Sequence, residues 1–202
     1  DIFLISDEVY REFVYDGATH FSILQIPNIE QHGILIDSMS KRYSMCGARI
    51  GCIVTKNEEV ISTALKYAQS RLSPPSYAMI ASEAALDTPE SYFKEINLEY
   101  QNRRDTLING LRSIEGVSVA KPQGAFYCLV KLPIQDAEHF AQWLLEKFND
   151  NNQTIMVAPA NGFYSSSKEG ETMIRIAYVL NEKALNRSVD LLKKALEIYS
   201  NP

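Results

Sequence analysis

Three short apolar runs constrain this chain more than anything else in it. Ile2-Phe3-Leu4-Ile5, Ile34-Leu35-Ile36 and Ile50-Gly51-Cys52-Ile53-Val54 are continuous rather than alternating, and polar residues or glycine bound each of them. Side chains of a strand point to its two faces in turn, so an unbroken apolar run suits a strand buried on both sides, as in a parallel sheet covered by helices. Between and after these runs the apolar period changes to that of a helix. Val60, Ile61, Ala64 and Tyr67 share a face over residues 57–70 behind Asn57 as N-cap, Ser76 to Leu86 is a second helical stretch, and Ser73-Pro74-Pro75-Ser76 separates the two. Pro89 opens a long helical segment to about Ile114. The rest predicts strands at 117–120, 126–130, 155–158 and 173–177, and a final helix behind Asn181 with Leu185, Val189, Leu192, Leu196 and Tyr199 on one face. The fold class is α/β, with two lobes meeting along the long helix.

Composition narrows what such a fold can do. With 46% apolar and 22% charged residues the chain is of ordinary globular type, and its net charge of −5 with scattered basic residues gives no footprint for nucleic acid or a membrane surface. Small molecules are the expected ligands. Cys46, Cys52 and Cys128 are odd in number and lack C-x-x-C spacing, so neither a disulfide framework nor a zinc site is expected, and a reducing cytoplasm fits best. His20, His32 and His139 stand apart as surface or loop residues, and no metal is expected. There is no apolar run of membrane-spanning length and no leader pattern. The sequence opens on a strand rather than on Met, which reads as a fragment.

Two constellations carry chemistry, each directly after an apolar strand, where ligands collect in open α/β sheets. Asp7-Glu8-x-Tyr10 follows the first run. An acidic pair there also suits magnesium handling in P-loop ATPases, but the G-x-x-x-x-G-K-[ST] loop is missing. Asp37-Ser38-Met39-Ser40-Lys41 follows the second run, with Gly47-Ala48-Arg49-Ile50-Gly51 behind it. Ser38-x-x-Lys41 matches the Ser-Lys pair of penicillin-binding acyl enzymes, which also need a K-T-G strand that this chain lacks, and Tyr100-x-Asn102 alone is chance-level. Taken singly, Asp7 as a cap, Arg49 as an ion-pair member and Arg175 as a solvated strand residue are at least as plausible as functional roles. Phe163 and Tyr164 are balanced between site wall and core, whereas Tyr77, Trp143 and Phe126 read as packing.

Together the pieces resemble a fold-type I aminotransferase of the aspartate aminotransferase superfamily. Ser6-Asp7-Glu8-Val9-Tyr10, Ser38-Met39-Ser40-Lys41 with Arg49 eight residues on, Pro122-x-Gly124-Ala125-Phe126-Tyr127, Val157-Ala158-Pro159 and Ile174-Arg175-Ile176-Ala177 appear in family order. The resemblance implies pyridoxal 5'-phosphate as cofactor, with Lys41 holding it as a Schiff base and returning as the base that shuttles a proton. It implies that Asp7 bonds the pyridine nitrogen, Tyr10 the phenolic oxygen, Ser38, Ser40 and Arg49 the phosphate, and that Arg175 grips the substrate carboxylate. Residues 1–90 are then the remaining part of a large cofactor-binding domain with a mostly parallel sheet, 91–114 a long connecting helix, and 115–202 a small C-terminal α/β domain. The implied activity is amino transfer between an amino acid, aspartate as leading guess, and a 2-oxo acid, by a homodimer. A carbon-sulfur lyase and a non-catalytic effector-binding module are the alternatives. The family's first half, with its phosphate-binding turn, stacked aromatic and Asn, has no counterpart here, and Arg71-Leu72-Ser73-Pro74-Pro75-Ser76 departs from the family's Ser-, Thr- and Asn-rich stretch. Low activity of the chain alone is therefore expected, together with uncovered apolar surface.

Overall fold

The computed structural model of the chain describes residues 2–199, apart from the side chain of Ser167. It divides into two compact units, Asp1–Asn97 and Leu98–Pro202.

In the first unit β1 (Leu4–Asp7), β2 (Gly33–Ser38) and β3 (Gly51–Val54) form a sheet in that order. β1 and β2 are parallel, with Asp7 opposite Ile36, whereas β2 and β3 are antiparallel, with Ser38 opposite Gly51. Gly51 is required by that last pairing. A Cβ there lies 2.9 Å from the Asp37 carbonyl oxygen, closer than side-chain carbons pack. The helices are α1 (Met39–Arg42), α2 (Glu58–Arg71) and α3 (Ser76–Ala85). Asn57 caps α2 as expected, its Oδ1 accepting from the Val60 N–H at 3.0 Å.

The apolar runs are strands, but not all are buried on both faces. β2 alternates buried and half-buried residues, whereas every residue of β3 is exposed, and so are Leu4 and Ile5 of β1. Among the described residues, those faces are only partly covered. The apolar stripe of α2 is likewise uncovered, with no buried residue in that helix, and Tyr77, expected to pack, is 76% exposed at the start of α3. Met79 and Ile80 on the same helix are exposed as well, with only Ala78 buried, which is why the pattern misleads there. The core of the unit consists of Phe13, Tyr15, Ile23, Leu35 and Ala78.

The second unit has an antiparallel sheet ordered β4-β5-β7-β6, built from β4 (Ser118–Val119), β5 (Tyr127–Lys131), β6 (Ala158–Pro159) and β7 (Met173–Ala177). The strand expected at 155–158 is shorter and later than its apolar residues suggest. Met156 is 83% exposed, and Pro159, which cannot donate to a ladder, closes the two-residue pairing. The helices are α4 (Glu90–Arg112), within which the division between units falls, α5 (Ala137–Glu146), the short α6 (Ser167–Gly170) and α7 (Glu182–Tyr199). α7 matches its sequence pattern closely. Asn181 Oδ1 accepts from the Ala184 N–H at 2.9 Å, and Leu185, Val189, Leu192 and Leu196 are buried. Leu107, Leu111, Val130, Phe140, Leu144 and Ile174 of the same unit are buried too, and Leu107 and Leu111 share one cavity lining with Leu185, Val189 and Leu192. Phe126 is buried and stacks on Tyr100 with ring centres 5.3 Å apart, and Trp143 packs among Phe140, Phe148 and Tyr199.

Candidate active site

The parallel pairing of β1 with β2 brings two sequence motifs to neighbouring carboxyl ends. Asp7 is the last residue of β1, and its Oδ1 accepts from the Val9 N–H at 3.1 Å, which turns the chain toward Tyr10. Ser38 is the last residue of β2 and also the N-cap of α1, so Lys41 lies on a single helical turn just past the strand. Lys41 Nζ is 5.9 Å from the centre of the Tyr10 ring, within cation–π range.

The two serines form a compact polar cap. Their hydroxyl oxygens are 2.8 Å apart, and that of Ser38 lies 2.9 Å from the Ile50 carbonyl oxygen and accepts from the Ser40 N–H at 3.1 Å. A hydroxyl has one proton, so Ser38 donating to Ile50 leaves Ser40 as the donor between the pair. Arg49 follows with left-handed backbone, φ 57°, and Nη1 donates to the Cys46 carbonyl at 2.9 Å. Ser38, Ser40 and Arg49 all line one cleft of about 700 Å³, walled by Ile61, Leu65 and Leu72. Hydroxyls and a guanidinium in a cleft with apolar walls suit an anion attached to a less polar body.

Charged residues to which sequence reading assigned no role in this site lie around the turn, Asp37 and Glu8 inside the motifs and Arg11, Glu12 and Arg42 beside them. Asp37 is buried and accepts from the Ser38 N–H at 2.8 Å and from Arg42 Nη2 at 2.8 Å, with Arg11 Nη1 at 3.2 Å from the same Oδ2. Burial works against the charge of Arg42, but Asp37 and Glu12 outweigh it and raise its pKa further above the usual guanidinium value. Glu8 is 2% exposed and accepts from His20 Nε2 at 2.8 Å, the Ser22 hydroxyl at 3.0 Å and the Ile23 N–H at 2.7 Å. Burial pushes its pKa up, and the bonds from His20, Ile23 and Ser22 overcome that and hold it below the ordinary carboxylate range. His20 is thus an exposed loop residue, as expected, with a structural partner. Asp37 and Arg42 flank the serine-lysine motif in sequence, which is the one signal that could have singled them out.

In the second unit Arg175 is on β7 opposite Leu129 and Ala158. Its guanidinium carbon is 4.8 Å from the ring centres of both Tyr127 and Phe163. Tyr127 is the diagonal neighbour across the β5–β7 pair, and Phe163 ends a short 3-10 turn after β6. Phe163 is 55% exposed, which makes it a wall beside Arg175 and not core. Gly170 permits the close approach of that turn, since a Cβ there lies 2.5 Å from the Asn161 Cα. Among the described residues no group of three or more His, Cys, Asp or Glu side chains is arranged to hold a metal, and no helix is long and apolar enough to cross a membrane.

Comparison with known proteins decides the family. The model of the aminotransferase class I and II family matches residues 1–192. This chain belongs to that family. It is 30% identical over 201 residues to the aspartate aminotransferase of Pyrococcus horikoshii, covering 98% of this chain and 49% of that protein. Against the LL-diaminopimelate aminotransferase of Moorella thermoacetica it is 29% identical, covering 97% and 48%. The solved aromatic aminotransferase of Pyrococcus horikoshii superposes with a TM-score of 0.84 at 27% identity, covering 98% of this chain and 52% of that one. The Thermus thermophilus aspartate aminotransferase with maleate gives 0.82 at 27% identity, covering 97% and 49%. The chain therefore spans about half the length of the curated relatives it matches, and the α/β class expected from the apolar runs is that of the family.

Proposed function

We propose that the protein containing this chain transfers an amino group between an amino acid and a 2-oxo acid, with pyridoxal 5'-phosphate as cofactor and Lys41 as the amine that holds it. The observation that carries this is the meeting of Lys41 Nζ with the Tyr10 ring, 5.9 Å apart, at the carboxyl ends of adjacent parallel strands. The residues fit the group. Arg49 and the hydroxyls of Ser38 and Ser40, which share a cleft, suit its phosphate, and an amine suits its aldehyde.

When bound, the cofactor supplies an electron sink for bond breaking at the substrate's alpha carbon. The chain's own side chains do the rest. Lys41 Nζ would hold the cofactor and would be the base that moves a proton to and from the substrate's alpha carbon. Asp7 would hold the cofactor's ring nitrogen in its protonated form, and the Tyr10 hydroxyl would bond its phenolic oxygen. Arg175 takes the substrate carboxylate through two parallel N–H···O bonds, with Tyr127 and Phe163 holding the plane of its guanidinium. Aspartate is the proposed amino donor, supported by relatives named aspartate aminotransferase. A homodimer in the cytoplasm is part of the proposal. The exposed Leu65, Tyr67, Tyr77 and Ile80 offer apolar surface to a partner, and Cys46, Cys52 and Cys128 are free thiols.

The test uses the protein expressed from its natural reading frame. After incubation with pyridoxal 5'-phosphate and borohydride reduction, peptide mapping is expected to find the label on Lys41. Lys41→Ala is expected to lower amino transfer from aspartate to 2-oxoglutarate by about 10²-fold or more. Label on another lysine, or undiminished turnover by the variant, overturns the proposal. Pyruvate release from a cysteine conjugate without amino transfer moves it to a carbon-sulfur lyase.

A further inference from the structure

Four charged side chains, Arg11, Glu12, Asp37 and Arg42, close into a ring. Arg11 Nη1 is 3.2 Å from Asp37 Oδ2, Arg42 Nη2 is 2.8 Å from the same oxygen, Arg42 Nε is 3.0 Å from Glu12 Oε1, and Arg11 Nε is 3.3 Å from that oxygen in turn. Two come from the turn after β1 and two from the segment spanning the end of β2 and α1. The Arg42–Glu12 link is an ion pair without an aligned N–H, since Arg42 Nε has no hydrogen-bond partner. We propose that this ring is a positioning device that fixes the Tyr10 turn and the Lys41 helix against each other.

Neither segment can hold itself. α1 has four residues, too few to be stable as a helix, and its N-terminal side is tied by the Ser38 cap. Residues 8–13 are turns, closed by the Arg11 N–H to Glu8 and the Phe13 N–H to Tyr10 carbonyl bonds. Two of the proposed catalytic residues are chain neighbours of ring members, Tyr10 of Arg11 and Lys41 of Arg42, and Asp37 also accepts from the N–H of Ser38. With two cations and two anions the ring is neutral, so it acts through geometry more than through its field. Arg42 and Asp37 are buried, and buried ion pairs are poor stabilisers compared with apolar packing of the same volume, whereas they specify one arrangement. Holding an amine and a phenol within reach of one ligand is a use for that specificity.

The role in catalysis rests on Lys41 being the cofactor amine, but the coupling between the segments does not, and two measurements separate them. The first is amide hydrogen exchange on the cofactor-free, full-length protein. Glu12→Gln is expected to speed exchange in the peptide covering 39–42 by about tenfold, and Arg42→Met to do the same in the peptide covering 8–12. The second is borohydride trapping of pyridoxal 5'-phosphate well below each variant's thermal midpoint. Label on Lys41 relative to other lysines is expected to fall about tenfold in both variants and to recover in part in Arg42→Lys. Leu35→Val, a core change on the same strand, is expected to lower the thermal midpoint and leave trapping as in the parent. Glu12 is partly exposed, so its variant tests the ring even where Arg42→Met fails to fold. Exchange confined to the substituted segment, or trapping unchanged in variants of lowered stability, overturns the proposal. Absence of label on Lys41 in the parent overturns the function proposed above, while the exchange result still decides the coupling.

Discussion

Replacing Glu8 by Gln probes how the first strand's exit is fastened. The carboxylate is almost wholly buried and accepts three bonds, from His20 Nε2, the Ser22 hydroxyl and the Ile23 N–H. Glutamine keeps the shape but has one carbonyl oxygen, which can serve Ser22 and Ile23, while its NH₂ meets the imidazole in place of an acceptor. Hydrogen bonds to charged groups contribute about 1.5–3 kcal/mol each, and losing one while two others become neutral costs roughly 3–5 kcal/mol before correction. Removing the need to bury a charge returns part of this, so the expected net loss is about 2 kcal/mol. The assay is urea unfolding followed by circular dichroism at neutral and acid pH. The carboxylate's pKa is lowered in the folded state, so its stabilisation is complete above the unfolded carboxylate value and disappears as pH falls through the folded value. Acidification should therefore erase most of the gap between parent and variant. A neutral-pH difference under about 0.5 kcal/mol, or a gap that persists in acid, refutes the reasoning.

Two further outcomes follow from local geometry. Gly51→Ala drives a methyl to 2.9 Å from the Asp37 carbonyl oxygen and is expected to cost about 1–3 kcal/mol by forcing β2 and β3 apart, measured by thermal unfolding, and an unchanged midpoint contradicts it. Burial pushes the Cys128 thiol up to about 12, so a thiol reagent at mildly alkaline pH is expected to label Cys46 first, then Cys52, whose pKa is raised by burial and then by Asp37, and Cys128 only on denaturation. Rapid labelling of Cys128 in the folded chain is the contrary result.

Much of this was readable from residue order, for identifiable reasons. α7 combines a capping Asn181 with an unbroken period of three and four, both local, and its buried face is supplied within the same unit. The site motifs were readable because strand ends concentrate them: Asp7 ends β1 and Ser38 ends β2. What sequence missed depends on pairing between distant segments. Nothing in the spacing of Arg11, Glu12, Asp37 and Arg42 marks them as partners until β1 and β2 are known to be parallel neighbours. Burial was misjudged at β3, α2 and Tyr77 because an apolar pattern states which face avoids water and not what covers it.

The link from Glu8 to Ser22 and Ile23 also sets where the long crossover between the first two strands can be altered. It pins the excursion near its middle, leaving Asp16 and Gly17, both exposed with positive φ, as the tip of the earlier arm. A peptide tag or a new recognition loop grafted at that tip should ride on the molecule without disturbing the lysine turn, whereas the same graft between Ser22 and Ile23 should pull the pin.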